Sequence, residues 1–240
     1  MEPEDSELHA AAWEETQLEE ERGWIWSDDR GVFKEKIIAH RFGIRQGDKV
    51  RVIDNFKQCG LNDACGLPEK FVLHGIDYIA ATLIRALVYG QLGPGLEICG
   101  KTFDLKSAYK QYPIHQADGD HLRIAILDPL TKKPRWFGLN ALPFGATGSV
   151  AGFLRVSSAI FFILSAGLKI WCSAVFDDFP TLAAKALSDN TERCVGPLFD
   201  LLGIQYAQSG KKCQQFSEEM RALGLVFDEG LHQTHAREEA

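Results

Sequence analysis

The chain has little of what marks a zinc, secreted or membrane protein. Its six cysteines include no CxxC pair, and His232 and His235 have no cysteine close by. That spacing argues against a zinc site. The first residues, MEPEDSELHA, have neither a basic start nor an apolar core, so they do not read as a secretory signal. The expectation is an intracellular chain, cytoplasmic or nuclear, with reduced thiols packed as small apolar side chains. The longest apolar run, Val156 to Leu168, is shorter than the roughly 20 residues of a membrane span. Lys169 then interrupts it, so no membrane partner is expected. No internal repeat is evident.

What is present fits a soluble globular protein. The 240 residues are 45% hydrophobic and 25% charged, enough for one large domain or two small lobes with a real core. The formal net charge of −7, taken alone, speaks against nucleic acid, but it is unevenly placed. Residues 1–30 hold 11 acids and two arginines, a balance of −9, and the remaining 210 carry +2. Within 31–60 the balance is +4. The acidity belongs to a leading segment, read as a docking or linker piece, and the body has a local basic patch.

The pattern predicts an α+β protein. Residues 1–30 read as a helix or partly ordered lead, with Trp24 and Trp26 docking on the body. "KVRVID" (49–54) alternates and predicts a strand entered through the turn "GDKV". Ile76, Ile79, Ala80, Leu83 and Leu87 lie at helical spacing, and Gly90 suits the C-cap. "QLGPGLEICG" predicts a loop and "TFDL" (102–105) a short strand. Residues 121–129 and 134–140 predict a hairpin across "LTKK". Pro143 and Gly145 introduce a helix to about Ala166. "IWCSAVF" predicts a buried strand and 190–203 a helix despite Gly196–Pro197. "KKCQQF" and "RALGLVF" predict two closing strands.

Two Asp–Asp pairs invite comparison. Asp28–Asp29 lies in "SDDRG", a polar turn where solvation accounts for both. Asp177–Asp178 follows the apolar "WCSAVF", so the two acids leave a buried strand together. Neighbours on a continuous strand point to opposite faces. Only a tight turn lets both approach one place, and a hard cation with oxygen ligands would offset their repulsion. The plain alternative is a solvated turn. A third acid, Asp104, ends the strand "TFDL"; it could equally N-cap the segment from Leu105. Two metals held by three carboxylates clamp the attacking and leaving oxygens of a phosphoryl displacement.

These motifs, taken in order, resemble the palm and fingers of a retroelement-type reverse transcriptase. "FDLKSAYKQY" is similar to the family's aspartate motif with an aromatic five residues on. "LPFG" (142–145) opens a helix, "VFDD" sits on a hairpin, and "GKKCQQFSEEMRALGLVFDEG" is similar to the family's later Lys-Cys and Leu-Gly stretch. "GDKVRVIDNFKQCGLN" is similar to its fingers strand. The resemblance covers about residues 40–230. It implies a polymerase palm, an antiparallel sheet with helices packed on one face, plus a fingers subdomain. The implied organisation is an acidic lead at 1–30, a fingers part at 31–103, a palm with fingers hairpin and "LPFG" helix at 104–230, and a polar tail at 231–240.

The resemblance also implies roles. Asp104, Asp177 and Asp178 would hold two Mg²⁺ ions, or Mn²⁺, with help from the Leu105 carbonyl. Lys212 would stand near the leaving pyrophosphate as a proton donor; its plain alternative is a surface lysine. Lys49 and Arg51, alternate on one strand and so on one face, would meet the triphosphate. Tyr109 would sit under the incoming sugar and exclude a 2′-hydroxyl, unless it is simply a core tyrosine. Phe144 and Gly145 would shape the dNTP pocket, and Gly148 and Ser149 would allow close template approach. The partners implied are a primer-template and dNTP.

Val175 stands where many members carry an aromatic, which offers less surface beside the primer end. After Gly230 only a polar tail follows, so a thumb or RNase H region is expected from a longer polyprotein. The +2 balance is slight for a protein that tracks a duplex. Two further readings stay open. One is an inactive retroelement-derived fragment that serves as a nucleic-acid-binding or structural module. The other is a palm-type nucleotidyltransferase that does not copy RNA.

Overall fold

The computed structural model describes residues 3–28, 37–47, 49–67, 69–89, 97–119, 121–210, 212–228 and 237–238. Asp29, Gly90, residues 91–96, Lys211 and residues 229–236, all of which carried expectations, lie outside the described residues. In chain order the first elements are α1 (Pro3–Glu21), β1 (Ile25–Ser27), β2 (Ile37–Gln46), β3 (Lys49–Asp54), α2 (Leu61–Ala64) and α3 (Ile76–Tyr89). Next come β4 (Ile98–Asp104), α4 (Gln116–Gly119), β5 (Leu122–Leu127), β6 (Pro134–Leu139) and α5 (Thr147–Phe162). The chain closes with β7 (Trp171–Cys172), β8 (Asp178–Ala184), α6 (Ser188–Leu201), β9 (Glu219–Ala222), β10 (Leu225–Asp228) and β11 (Arg237–Glu238). The protein is α+β. Its contacts divide it into two compact units, residues 1–70 with 109–153 and residues 71–108 with 154–240. The units interleave along the chain, so segment 104–230 contributes to both.

Unit 1 holds a five-stranded mixed sheet in the order β1-β6-β5-β2-β3. The 121–140 hairpin forms as expected, with β5 antiparallel to β6. Strand β2, unforeseen in the sequence, pairs antiparallel with β3 and parallel with β5. The turn before β3 turns on Gly47, at φ 57. Of the two readings of the acidic lead, docking or linker, the structure has docking: Ala12 of α1 is fully buried in the core beside Ile25, Ala39, Phe56, Ile124 and Phe137. Trp26 does dock, across Gly138, where any Cβ would collide with the indole. Asp28 corrects the reading of "SDDRG". It is buried, not solvated, and pairs with the fully buried Arg123 at 2.5 Å.

Unit 2 holds two three-stranded antiparallel sheets, β4-β8-β7 and β11-β10-β9. Strand β4 begins at Ile98, inside the stretch expected as loop. "RALGLVF" is not one strand but the hairpin β9–β10, turning at Leu223 and Gly224 with both φ positive, 55 and 74. "KKCQQF" forms no strand over its described residues, and in the expected tail Arg237 and Glu238 pair with β10. Helix α3 buries Ile79 and Leu83, but Ile76 faces solvent. Helix α6 tolerates Pro197 as expected and packs Phe199 against Phe103 and Phe179.

All six cysteines are free thiols, with Cys99 and Cys172 buried. Helix α5 continues through a wider π turn, Ile163–Gly167. The combined Thr147–Gly167 segment, at mean hydropathy 1.7, is long and apolar enough to cross a membrane by length and composition. That is longer than the apolar run read in the sequence. Ala151, Phe153, Leu154, Ser157, Ile160 and Leu164 along it are buried within the fold, while Phe162 and Ile163 are exposed.

Candidate active site

The residues singled out in the sequence fall into two groups, one in each unit. Asp104, Leu105, Asp177, Asp178 and Lys212 lie in unit 2; Lys49, Arg51, Tyr109, Phe144 and Gly145 lie in unit 1.

In unit 2 the acids meet at one end of the β4–β8 ladder. Register sets Phe103 opposite Phe179 and Asp104 opposite Asp178. Strand alternation then sends the phenylalanines into the core against Phe199 and turns the acids to the other face. The expected tight turn is present. Val175 and Asp178 exchange backbone hydrogen bonds of 2.8 and 3.0 Å, leaving Phe176 and Asp177 as a two-residue tip. Phe176 takes φ 53, a left-handed value costly for a residue with a Cβ. Two contacts hold it there. The Leu105 N–H donates to the Asp177 carbonyl at 2.9 Å, and buried Ser157 of α5 donates its hydroxyl to the Phe176 carbonyl at 2.9 Å. Ser157 was not foreseen; a serine inside a helix carries no sequence signal of such a role.

The electrostatics are those of crowded like charges. Burial, then the charges of Asp177 and Asp104, push Asp178 up to about 6. Burial, and the charge of Asp104, also raise Asp177. Lys212 supplies the counter-charge, its Nζ 2.5 Å from Asp104 Oδ2 with the side chain 66% exposed. Burial pulls the Lys212 pKa down, but the Asp104 hydrogen bond and the three carboxylate charges outweigh it and leave it raised. The other Asp104 oxygen, Oδ1, is buried without a hydrogen-bond partner. An orphaned carboxylate oxygen among like charges fits a hard cation. Among the described residues, however, no group of three or more His, Cys, Asp or Glu side chains is placed to hold a metal ion.

In unit 1, Lys49 and Arg51 are both exposed on one face of β3, as their alternation implied. The "LPFG" turn docks on the end of that strand. Gly145, at φ 98, would put a Cβ 2.8 Å from the Asp54 carbonyl, so only glycine fits. Asn62 ties the turn down by donating to the Gly145 carbonyl and accepting from the Thr147 N–H, both at 2.9 Å. It thereby caps α5 from a distant stretch of chain. Arg41 grips Asp54 at 2.7 and 3.0 Å from within the core. The result is a cleft of about 600 Å³ lined by Arg51, Val52, Phe144 and, from α1, Glu14, Glu15 and Glu19. Lys49 does not line it. Tyr109 is half-buried, stacked on Phe153 at 4.8 Å and edge-on to Phe144 at 5.7 Å. Gly148 is exposed, but Ser149 is buried and offers no surface to a template.

No model of a known protein family matches this chain, and no curated protein matches it.

Proposed function

We propose that the chain is the palm and fingers of a reverse transcriptase. On this reading unit 2 is the palm, unit 1 the fingers, and the partners are a primer-template and a dNTP. The observation that carries the reading is the meeting of Asp104, Asp177 and Asp178 at a strained two-residue turn, with one Asp104 oxygen orphaned.

In the reaction the primer 3′-hydroxyl gives up its proton to solvent, its oxygen bonds to the α-phosphorus, the bond to the bridging oxygen breaks, and pyrophosphate leaves. Asp104, Asp177 and Asp178, helped by the Leu105 carbonyl, would hold divalent cations. When bound, Mg²⁺ or Mn²⁺ supplies positive charge to the attacking and leaving oxygens. Lys212, held against Asp104, would supply positive charge and, on this reading, a proton to the pyrophosphate leaving group. Lys49 and Arg51 offer charge-assisted hydrogen bonds to the triphosphate. The Tyr109 ring, fixed by Phe153 and Phe144, forms a rigid floor under the sugar that rejects a 2′-hydroxyl.

The test is primer extension on an RNA template with Mg²⁺. Asp177→Asn is expected to abolish it while leaving the fold intact. Extension that survives this change removes the carboxylate role. A second reading, a binding module without catalysis, draws on the lack, among the described residues, of any group of three or more His, Cys, Asp or Glu placed to hold a metal ion. Tight template binding without extension by the wild-type chain would favour it.

A further inference from the structure

Helix α1 is built into unit 1 rather than tethered to it. Its Leu8 carbonyl lies 2.5 Å from where a Cβ on Gly43 would stand, so the helix rests directly on β2. Thr16 is fully buried and donates to the Ala12 carbonyl at 2.7 Å. Glu19 is buried between Arg41 and Lys110, each at 2.9 Å. Those contacts fix where the other acids of the helix point. Glu14, exposed, and Glu15, half-buried, form with Leu18 one wall of the cleft whose other lining includes Arg51 and Phe144.

We propose that α1 is a fixed electrostatic gate on this cleft. Its Glu14 and Glu15 carboxylates oppose the polyanion that Arg51 attracts, and so set both the affinity and the salt dependence of nucleoside triphosphate binding. The inference rests on the triphosphate reading of Arg51 given above. Glu14, Glu15 and Arg51 line one cleft of about 600 Å³, a space comparable in scale to the Debye length of about 10 Å at 0.1 M salt. Each carboxylate therefore acts on a bound phosphate with only partial screening. In a water-like dielectric the two together weaken binding about fivefold. The penalty is larger for a free triphosphate than for its magnesium complex, which carries less negative charge. Control is by charge and not by motion. Swinging α1 away would expose Ala12 and strip Arg41 and Lys110 of Glu19.

The experiment therefore neutralises the acids and leaves the helix in place. Binding of deoxythymidine triphosphate, with and without Mg²⁺, is measured by calorimetry on the full chain, Glu14→Gln/Glu15→Gln and Arg51→Ala. At about 50 mM salt the double variant is expected to bind about fivefold tighter than wild type, the gap falling below about twofold at about 300 mM. Arg51→Ala is expected to bind more weakly. If the double variant melts early, Glu14→Gln alone serves, with about a twofold gain expected. Equal affinity of the glutamine variants and wild type at low salt, with Arg51→Ala still weaker, overturns the gate and leaves the triphosphate reading standing. Arg51→Ala binding as well as wild type overturns that reading, and the gate with it.

Discussion

Arg41 of unit 1 and Asp178 of unit 2 are both charged side chains withdrawn from water, and they are treated in opposite ways. Arg41 is 1% exposed and forks onto Asp54, with Glu19 at 2.9 Å. Its neighbour in the same sheet, Arg123, is buried on Asp28. Every one of these charges meets its opposite. Asp178 instead meets Asp104 and Asp177, and the nearest cation, Lys212, is mostly in solvent. Unit 2 is capable of matching a buried charge: Lys101 holds Glu192 at 2.6 Å. Among these charges the mismatch falls at the end of the β4–β8 ladder. Matched pairs serve the fold. A like-charged cluster burdens it, which is the pattern expected where carboxylates are kept for chemistry.

This contrast is tested hardest at Arg41. Arg41→Met leaves Asp54 with unmatched buried charge and Glu19 with Lys110 alone, and removing one partner of a buried pair costs about 3–5 kcal/mol. Urea denaturation measures it directly. A loss below about 1 kcal/mol, the range of surface pairs, would mean that the pairing is not protected from water and would dissolve the distinction. Because the Asp54 carbonyl underlies Gly145, the same variant should also loosen the "LPFG" turn.

Local pattern and the site were legible to different degrees. Alternation revealed β3, β5 and β6, and the apolar-then-acidic text around Asp177 revealed the tight turn, because both are written in contiguous residues. Strand β2 escaped since "IIAHRFGIRQ" buries a charged residue, Arg41, where an alternating pattern calls for an apolar one. Asp28 was misread for the mirror-image reason. A polar turn text hides an ion pair whose partner, Arg123, is far away in the chain. Asn62, Ser157 and the α1 wall act through such distant contacts too, and no local period records them. Counting charge by segment left docking and linker open for the acidic lead. Ala12 and Thr16 show one face of that helix buried in the core.

A smaller effect, of opposite sign, is expected at Asp178. Its folded-state pKa, about 6, lies above the ordinary 3.8, so the folded chain holds this proton more tightly than the unfolded chain does. The stability it contributes is full below about pH 4 and is lost as pH rises through about 6. Asp178→Asn, which cannot ionise, should therefore stabilise the metal-free protein at pH 7 by about 2 kcal/mol, the full linkage of about 3 kcal/mol being reduced by solvent screening of a half-buried carboxyl. It should also flatten the decline between about pH 4 and 6 and make no difference below it. Thermal melting across pH decides this. A variant less stable than wild type at pH 7 would place Asp178 with the matched charges of unit 1.

The smallest effect concerns the turn itself. Phe176 sits at φ 53, a conformation that its side chain disfavours by roughly 1–2 kcal/mol, so the tip must be held by its neighbours. The Ser157 hydroxyl on the Phe176 carbonyl is a neutral bond from a buried donor, worth about 1 kcal/mol. Ser157→Ala should therefore cost about 1 kcal/mol, and the loss should be local. Amide exchange at Val175 and Asp178, whose N–H groups close the turn, is expected to rise. Exchange in the β5–β6 hairpin of unit 1 should stay as it was, since Arg123 and Asp28 brace it independently. Uniform acceleration in both units would mean that the turn shares the stability of the whole fold. The crowded acids would then rest on the same footing as the matched pairs, and strain at Phe176 would no longer set this site apart.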